Sequence, residues 1–369
     1  MYTLALQSQH KSMRKILFFV LAISAITIKL EAQQVLKVGV AGLNHDHVYG
    51  LMEQYRKGKV VILGIAEADT QLVRKYKTRY ALPDSLFYPN VSTMLEHIHP
   101  DAVLAYNPIV EHLSVVEACA PKGVSVMVEK PLAMNVEQAN KMEALVNKYH
   151  IHLLTNYETT WYPTNQQIAN MVKDQNAIGP VRKMIVHDGH QGPKEIGCSP
   201  DFLKWLTDPE KNGGGAIVDF GCYGANLMTG LMGGQAPIAV TAVARHYKPD
   251  VYPKVDDDAT ILLEYPGATG IIEASWNWPF SIKDWEVFGS TGYLHALNDR
   301  SLQERLKNTY TDVQVQPAAY TDNLTYLADV LSGKIDSEHD LSGLPNNLIV
   351  VKILDAARRS AKEGKRIVL

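Results

Sequence analysis

Glu129-Lys130-Pro131 closes the apolar run Val124-Ser125-Val126-Met127-Val128. A strand ending in a lysine followed by proline delivers one ammonium group to the carboxyl edge of a sheet, where open α/β folds bind their ligands. Alternation along a strand sends Glu129 and Lys130 to opposite faces, so they do not neutralise each other. The lysine's reference pKa is about 10.4; burial moves it towards neutrality, where the amine can accept a hydroxyl proton. Most lone lysines at strand ends are solvated charges, but the proline and the strand position set this one apart.

A second set follows Gly213-Gly214-Gly215. Asp219 and Tyr223 stand four residues apart, so on a helix they share one face. The glycines let that helix start approach a ligand closely. Tyr223 can exchange a proton with a carbinol oxygen, its acidity raised by the Lys130 ammonium, and Asp219 can orient either group. Trp161 and Trp276 are candidate walls for the apolar C–H face of a polyol.

Val35 to Gly42 reads as a strand entering a glycine turn. A dinucleotide fingerprint would place glycines at 44 and 47, where this chain has Asn44 and His47. Asn44 tolerates the turn's backbone, whereas His47 cannot give the close helix–strand contact of a glycine. Glu67, 25 residues beyond Gly42 at the tip of the next strand, can accept both ribose hydroxyls and repel a 2′-phosphate. The cofactor expected is therefore NAD rather than NADP. His45-Asp46-His47 and His187-Asp188-Gly189-His190 also invite a metal reading. The preferred reading has His45 and His47 lining the phosphate turn, while His187 and His190 hydrogen-bond a polar substrate.

These groups need a particular scaffold. Val60 to Ala66, Ala102 to Tyr106, the run ending at Lys130 and Ile151 to Thr155 are apolar strands, with helical patterns between them. That predicts a parallel sheet covered on both faces. After about residue 156 short strands succeed one another at Val181–Asp188, Ile238–His246, Ala259–Tyr265, Gly270–Trp276 and Trp285–Phe288. They predict a largely antiparallel sheet, preceded by one helix over 215–232. Leu344 to Glu363 is a last helix with Gly364 as its stop, packing back on the body.

The 369 residues suffice for two domains, and 46% hydrophobic with 20% charged residues is an ordinary globular balance. Residues 1–32 carry four basic side chains and one acidic, which leaves the remainder near −6. Without a basic stripe, nucleic-acid binding is not expected. Lys11, Arg14 and Lys15 precede an apolar stretch from Ile16 to Ile28, and Leu30-Glu31-Ala32 suits cleavage. This reads as an export signal over 1–32, too short to span a bilayer, and predicts a periplasmic or secreted protein without stable membrane insertion. Translation from Met13 would leave that signal complete. Cys119, Cys198 and Cys222 fit no metal or disulfide framework.

Taken together, the Gly39-x-x-Gly42 turn, Pro108-x-x-x-His112, Glu129-Lys130-Pro131, Gly213-Gly214-Gly215 and Asp219-x-Gly221-x-Tyr223 resemble the Gfo/Idh/MocA family. The resemblance runs from about Val35 to the C-terminus. It implies a Rossmann domain over 33–156 and a second α/β domain over 157–343 with an open, mostly antiparallel sheet, the substrate wall and interface of a homodimer or homotetramer. It implies catalytic roles for Lys130, Asp219 and Tyr223, and a cofactor site including Gly42, Asn44, His45, His47, Glu67, Asn107, Pro108, His112, Glu129 and Lys130. The expected reaction is hydride transfer between NAD, held tightly in an exported chain, and a carbinol carbon of a sugar, glycoside or polyol. Three readings stand beside it: a glycosidase that uses NAD transiently, a non-catalytic sugar- or nucleotide-binding envelope protein, and a metal hydrolase built on the four histidines.

Overall fold

Uninterrupted apolar strands with helices between them bury both faces of a sheet, and the first half of the chain folds that way. The computed structural model describes residues 35–369; the expected export segment, 1–32, lies outside them. β1 (Leu36–Ala41), β2 (Val60–Ala66), β3 (Phe87–Tyr88), β4 (Ala102–Ala105), β5 (Ser125–Glu129) and β6 (Leu153–Asn156) are all parallel, in the order β3-β2-β1-β4-β5-β6. The order reverses between β1 and β4, and at such a switch point the loops part to leave a crevice. Gly42 (φ 80°) and Lys130 stand at the carboxyl edge beside it.

The second sheet has nine strands: β7 (Val181–Gly189), β8 (Ala239–Arg245), β9 (Asp258–Glu264), β10 (Thr269–Ser275), β11 (Ile282–Gly289), β12 (Tyr293–Ala296), β13 (Leu302–Arg305), β14 (Thr311–Val313) and β15 (Ile367–Val368). Their order is β14-β13-β12-β11-β7-β10-β9-β8-β15, antiparallel except for the β7–β10 pair. Alternate residues of β7, β9 and β10 are buried, because helices Gly221–Leu231 and Leu344–Glu363 cover one face. Gly364 ends the last helix in the left-handed conformation, as its sequence predicts.

The single helix expected over 215–232 is two. Ala216–Asp219 and Gly221–Leu231 meet at Phe220. In a continuous helix the Asp219 carbonyl would accept the amide of Tyr223. Here Lys130 Nζ (2.9 Å) and Cys222 Sγ (3.2 Å) donate to that carbonyl, and the Tyr223 amide turns to Phe220 O at 3.1 Å. Nor do the three glycines serve close approach to a ligand. A Cβ at Gly215 would lie 1.7 Å from the Asp256 carbonyl oxygen, so the space goes to a backbone crossing. Helices Pro200–Leu206 and Asn323–Leu331 and strands β12 to β15 are further elements that the apolar pattern did not disclose.

Candidate active site

The turn after β1 is drawn tight by its neighbours. Gly42 N donates to Ala66 O at 2.9 Å, and a Cβ at Gly42 would strike Asn107 at 2.7 Å. Glu67 accepts the Leu43 amide at 2.9 Å on one oxygen and the Asp69 amide at 2.8 Å on the other, each keeping a lone pair. A cavity of about 440 Å³ opens here, with Gly42, Asn44, Glu67, Asn107 and Glu111 among its lining residues. Asn44 Oδ1 and Asn107 Oδ1 are buried acceptors without a partner among the described residues. A glycine cradle, orphaned amide oxygens and a carboxylate at the β2 tip suit the adenosine end of a dinucleotide. Pro108 precedes the turn to His112, which is fully buried, with Nδ1 on Leu132 O at 3.1 Å and Nε2 unpartnered. Burial takes the His112 imidazole down to about 4, so it is neutral and structural in character.

His45 and His47 complete the turn. The His47 amide donates to His45 Nδ1 at 3.1 Å, and burial keeps His45 well below its ordinary pKa. Neutral His45 therefore carries its proton on Nε2 as a donor. His47 Nδ1 donates to Glu129 Oε2 at 2.8 Å, and Asn156 Nδ2 donates to the other Glu129 oxygen at 2.9 Å. Burial alone would raise this carboxyl, but His47 brings it down to about 2. His45, His47 and Glu129 offer ligand atoms within 4.8 Å of one another; His187 and His190 are not of that group. His45 Nδ1 accepts the His47 amide and His47 Nδ1 serves Glu129, so the four histidines of the metal reading are divided between two places and do not form one ligand set.

Lys130 turns the opposite way from Glu129, as strand alternation requires, and the Lys130–Pro131 peptide is cis. It is 8% exposed and paired with the Asp219 carboxylate. Trp276 Nε1 donates to the other Asp219 oxygen at 3.0 Å. Lys130 Nζ lies 4.9 Å from the centre of the Tyr223 ring. The structure thus brings together three groups from distant parts of the chain. Their protonation differs from the sequence expectation. Burial does oppose the Lys130 charge, but Asp219 outweighs it and the amine is raised, not brought to neutrality. Tyr223 is likewise pushed up, first by burial and then by the carboxylates of Glu158 and Asp188. At neutral pH the pair is an ammonium and a phenol.

Two further groups meet here that sequence reasoning passed over. In the β7–β11 register Asp188 faces Lys283 and His187 faces Asp284. The first pair points to the Tyr223 side and the second to the other face of the sheet, where His187 Nδ1 donates to Asp284 at 2.6 Å. His187 is therefore not turned to Lys130, contrary to its expected substrate role. Lys283 Nζ lies 4.6 Å from the Tyr223 ring centre, 2.5 Å from Glu158 Oε2 and 4.0 Å from Asp188 Oδ1. Asp188 is 1% exposed, and burial raises its carboxyl to about 7. His190 stands at the margin, edge-on to Phe220 at 4.8 Å, its Nδ1 taken by the Gly192 amide. Trp276, fully buried, positions Asp219 rather than forming a wall. Trp161 does line a cavity of about 580 Å³ with His47, Glu129, Asn156 and Glu158.

Two family models match this chain: the NAD-binding Rossmann fold of the oxidoreductase family over residues 34–157, and the GFO/IDH/MocA C-terminal domain over 166–295. The chain belongs to the Gfo/Idh/MocA oxidoreductase family. Its first domain is an NAD-binding Rossmann domain. The trans-1,2-dihydrobenzene-1,2-diol dehydrogenase of Xenopus laevis is 26% identical over 216 residues, 58% of this chain and 60% of that protein. The Homo sapiens protein of the same name is 22% identical over 230 residues, 61% and 63%. The chain thus matches about three fifths of the length of these relatives. The same fold occurs in aldose-aldose oxidoreductase from Caulobacter crescentus complexed with glycerol (TM-score 0.76, 22% identity, 91% of this chain and all of that one). It occurs too in an inositol dehydrogenase homolog from Azotobacter vinelandii complexed with NAD+ (0.77, 17%, 91% and 98%).

Proposed function

We propose that this protein is an NAD-dependent oxidoreductase acting on a CH–OH carbon of a sugar, glycoside or polyol. The observation that carries this reading is the convergence of Lys130, Asp219 and Tyr223 at the carboxyl edge of the Rossmann sheet. NAD, when bound, supplies the hydride acceptor. Gly42, Asn44, Glu67 and Asn107 would hold its adenosine end, with the His45 Nε2 donor and His47 turned to the phosphates. Lys130 spends two of its three hydrogens on Asp219, leaving one for the substrate oxygen. As the hydroxyl proton leaves, the Lys130 amine can take it while passing a shared proton to the Asp219 carboxylate, and the ammonium so kept stabilises negative charge on the oxygen. Tyr223 makes no side-chain hydrogen bond among the described residues, so its hydroxyl is free to meet the same oxygen. The relatives named dihydrodiol dehydrogenase and the glycerol-complexed structure support a hydroxylated substrate.

Mass spectrometry of the gently denatured protein should release a dinucleotide. Lys130→Ala should lower kcat by about 10²-fold or more while leaving NAD affinity within about twofold. Unchanged turnover would remove Lys130 from its role. The proposal includes export and cleavage near Ala32, supported by the basic and apolar character of residues 11–32, and checked by N-terminal sequencing of the mature protein. Among the described residues no helix is long and apolar enough to cross a membrane. Self-association through the second sheet is part of the same reading; sedimentation measures it.

A further inference from the structure

Trp161 lines a second cavity, of about 370 Å³, which shares no other residue with the one beside Glu129. Its walls come from the helices Pro163–Ala169, Gly221–Leu231 and Asn323–Leu331 and from β11. The first helix runs on into one π-helical turn, Asn170–Asp174, a form that recurs at functional sites. Four aromatic residues line the space: Trp161, Trp285, Tyr320 and Tyr326. Trp161 and Tyr320 both stand at an angle to the Tyr326 ring, with centres 5.3 and 5.4 Å from it. An apolar cavity of about 150 Å³ already admits benzene, so this one has room for a substituted ring. In its buried wall Asn165 Nδ2 donates to Thr159 O at 2.9 Å, and the Tyr326 hydroxyl to Asp340 at 2.8 Å. Two buried groups are not so served. Trp285 (3% exposed) and Thr160 (8%) leave the indole Nε1 and the hydroxyl Oγ1 without a partner among the described residues. The charged lining residues Lys173, Asp174, His339 and Asp340 all belong to its exposed or half-buried part.

We propose that this cavity binds an uncharged aromatic group that carries a hydrogen-bond acceptor. The indole N–H can only donate and the hydroxyl can donate too, so a carbonyl or ether oxygen answers what the wall leaves open. A ring suits the walls, because aromatic pairs gain from tilted and edge-on contacts beyond the area they bury. A charged group would leave water for a buried wall that holds no opposite charge. Trp161 places the site in the molecule. It also lines the cavity with His47, Glu129 and Glu158, so the ring can arrive alone or as the substituent of a hydroxylated substrate. The chemistry of recognition is the same in both cases. The site goes beyond the dehydrogenase reading and stands without it.

The test titrates acetophenone, ethylbenzene and benzoate calorimetrically into the full chain. Acetophenone should bind at least about tenfold more tightly than benzoate. Trp285→Phe keeps a ring but removes the donor. It should weaken acetophenone by about tenfold and leave ethylbenzene within about twofold. Ala169→Trp, at a half-buried helix end, fills the cavity and should abolish binding of both. A role in packing alone would make Trp285→Phe weaken both compounds together, and that outcome overturns the proposal. So does a wild type that fails to bind acetophenone, benzoate binding as well as acetophenone, or acetophenone binding that survives Ala169→Trp. Dimers broken by Ala169→Trp in sedimentation would mean that a second copy covers the cavity, which overturns it as well. Phenyl β-D-glucopyranoside and its methyl counterpart, with and without NAD+, separate the two sources. A phenyl glucoside that outbinds both acetophenone and the methyl glucoside, more so with NAD+, assigns the ring to the substrate. A phenyl glucoside no tighter than acetophenone makes the aromatic group a ligand of its own.

Discussion

Asp188 and Lys283 each interrupt an apolar face. Along β7, Met184 and Val186 point to the core, and the next residue in that row is Asp188. Along β11, Trp285 and Val287 do the same, and the row begins with Lys283. Both anomalies are visible in the sequence, but there the substrate role falls to the neighbouring histidines, His187 and His190, and not to Asp188. Lys130 was recognisable, but its charge state was not, because its counter-ion lies 89 residues away. A free buried carboxylate also has a cost that can be measured. The Asp188 carboxyl titrates near 7 in the folded protein and near 4 unfolded. Between those values the folded form holds the extra proton, so stability falls as pH rises and stays low above 7. Asp188→Asn removes the penalty. It should match the wild type near pH 4 and exceed it at pH 8 by up to roughly 4 kcal/mol in urea denaturation. Equal stability at both pH values would mean that Asp188 is solvated.

The helix Ala216–Asp219 has only four residues, far too few to hold shape alone, so its neighbours must fix it. Asp256, in the loop before β9, accepts the amides of Gly215 (2.9 Å) and Ile217 (2.7 Å), acting as a cap supplied from another segment. Arg358, on the last helix, donates to Gly213 O at 3.0 Å and Met134 O at 2.7 Å, tying the glycine run to the chain just beyond Lys130. Asp256→Ala would leave two donors unserved. It should cost about 1–2 kcal/mol of stability and lower kcat more than it raises KM, because Asp219 would no longer hold Lys130 in one place. Intact kcat with lost stability would confine Asp256 to folding. Apolar strands such as Val60–Ala66 announce themselves by composition alone. A helix break set by a lysine from another domain, or a cap lent across 39 residues, has no local signature.

At the scale of the whole molecule the carboxyl edge of the Rossmann sheet and the helix-covered face of the second sheet meet around Lys130 and Tyr223, and the charge beside them sorts ligands. Lining the cavity beside Gly42 are Glu67, Asp69 and Glu111, with no lysine or arginine among its residues. Asp69 also caps the helix Thr70–Tyr80 through the Gln71 amide at 2.8 Å, which fixes it in place. A ribose can give its hydroxyl hydrogens to Glu67, whereas a 2′-phosphate would stand against carboxylates with no cation to answer it. NAD+ should therefore bind at least about 100-fold more tightly than NADP+, like charges in such contact costing several kcal/mol. Glu67→Gln keeps an acceptor for only one of the Leu43 and Asp69 amides and removes the charge, and should narrow the ratio by about tenfold, by easing the repulsion of the 2′-phosphate and loosening the hold on the NAD+ ribose. Titration of both dinucleotides into the wild type and this variant, at one ionic strength because exposed charges are screened, checks it. Equal affinities in the wild type would show that the ribose lies elsewhere and that Glu67 serves only to brace the glycine turn.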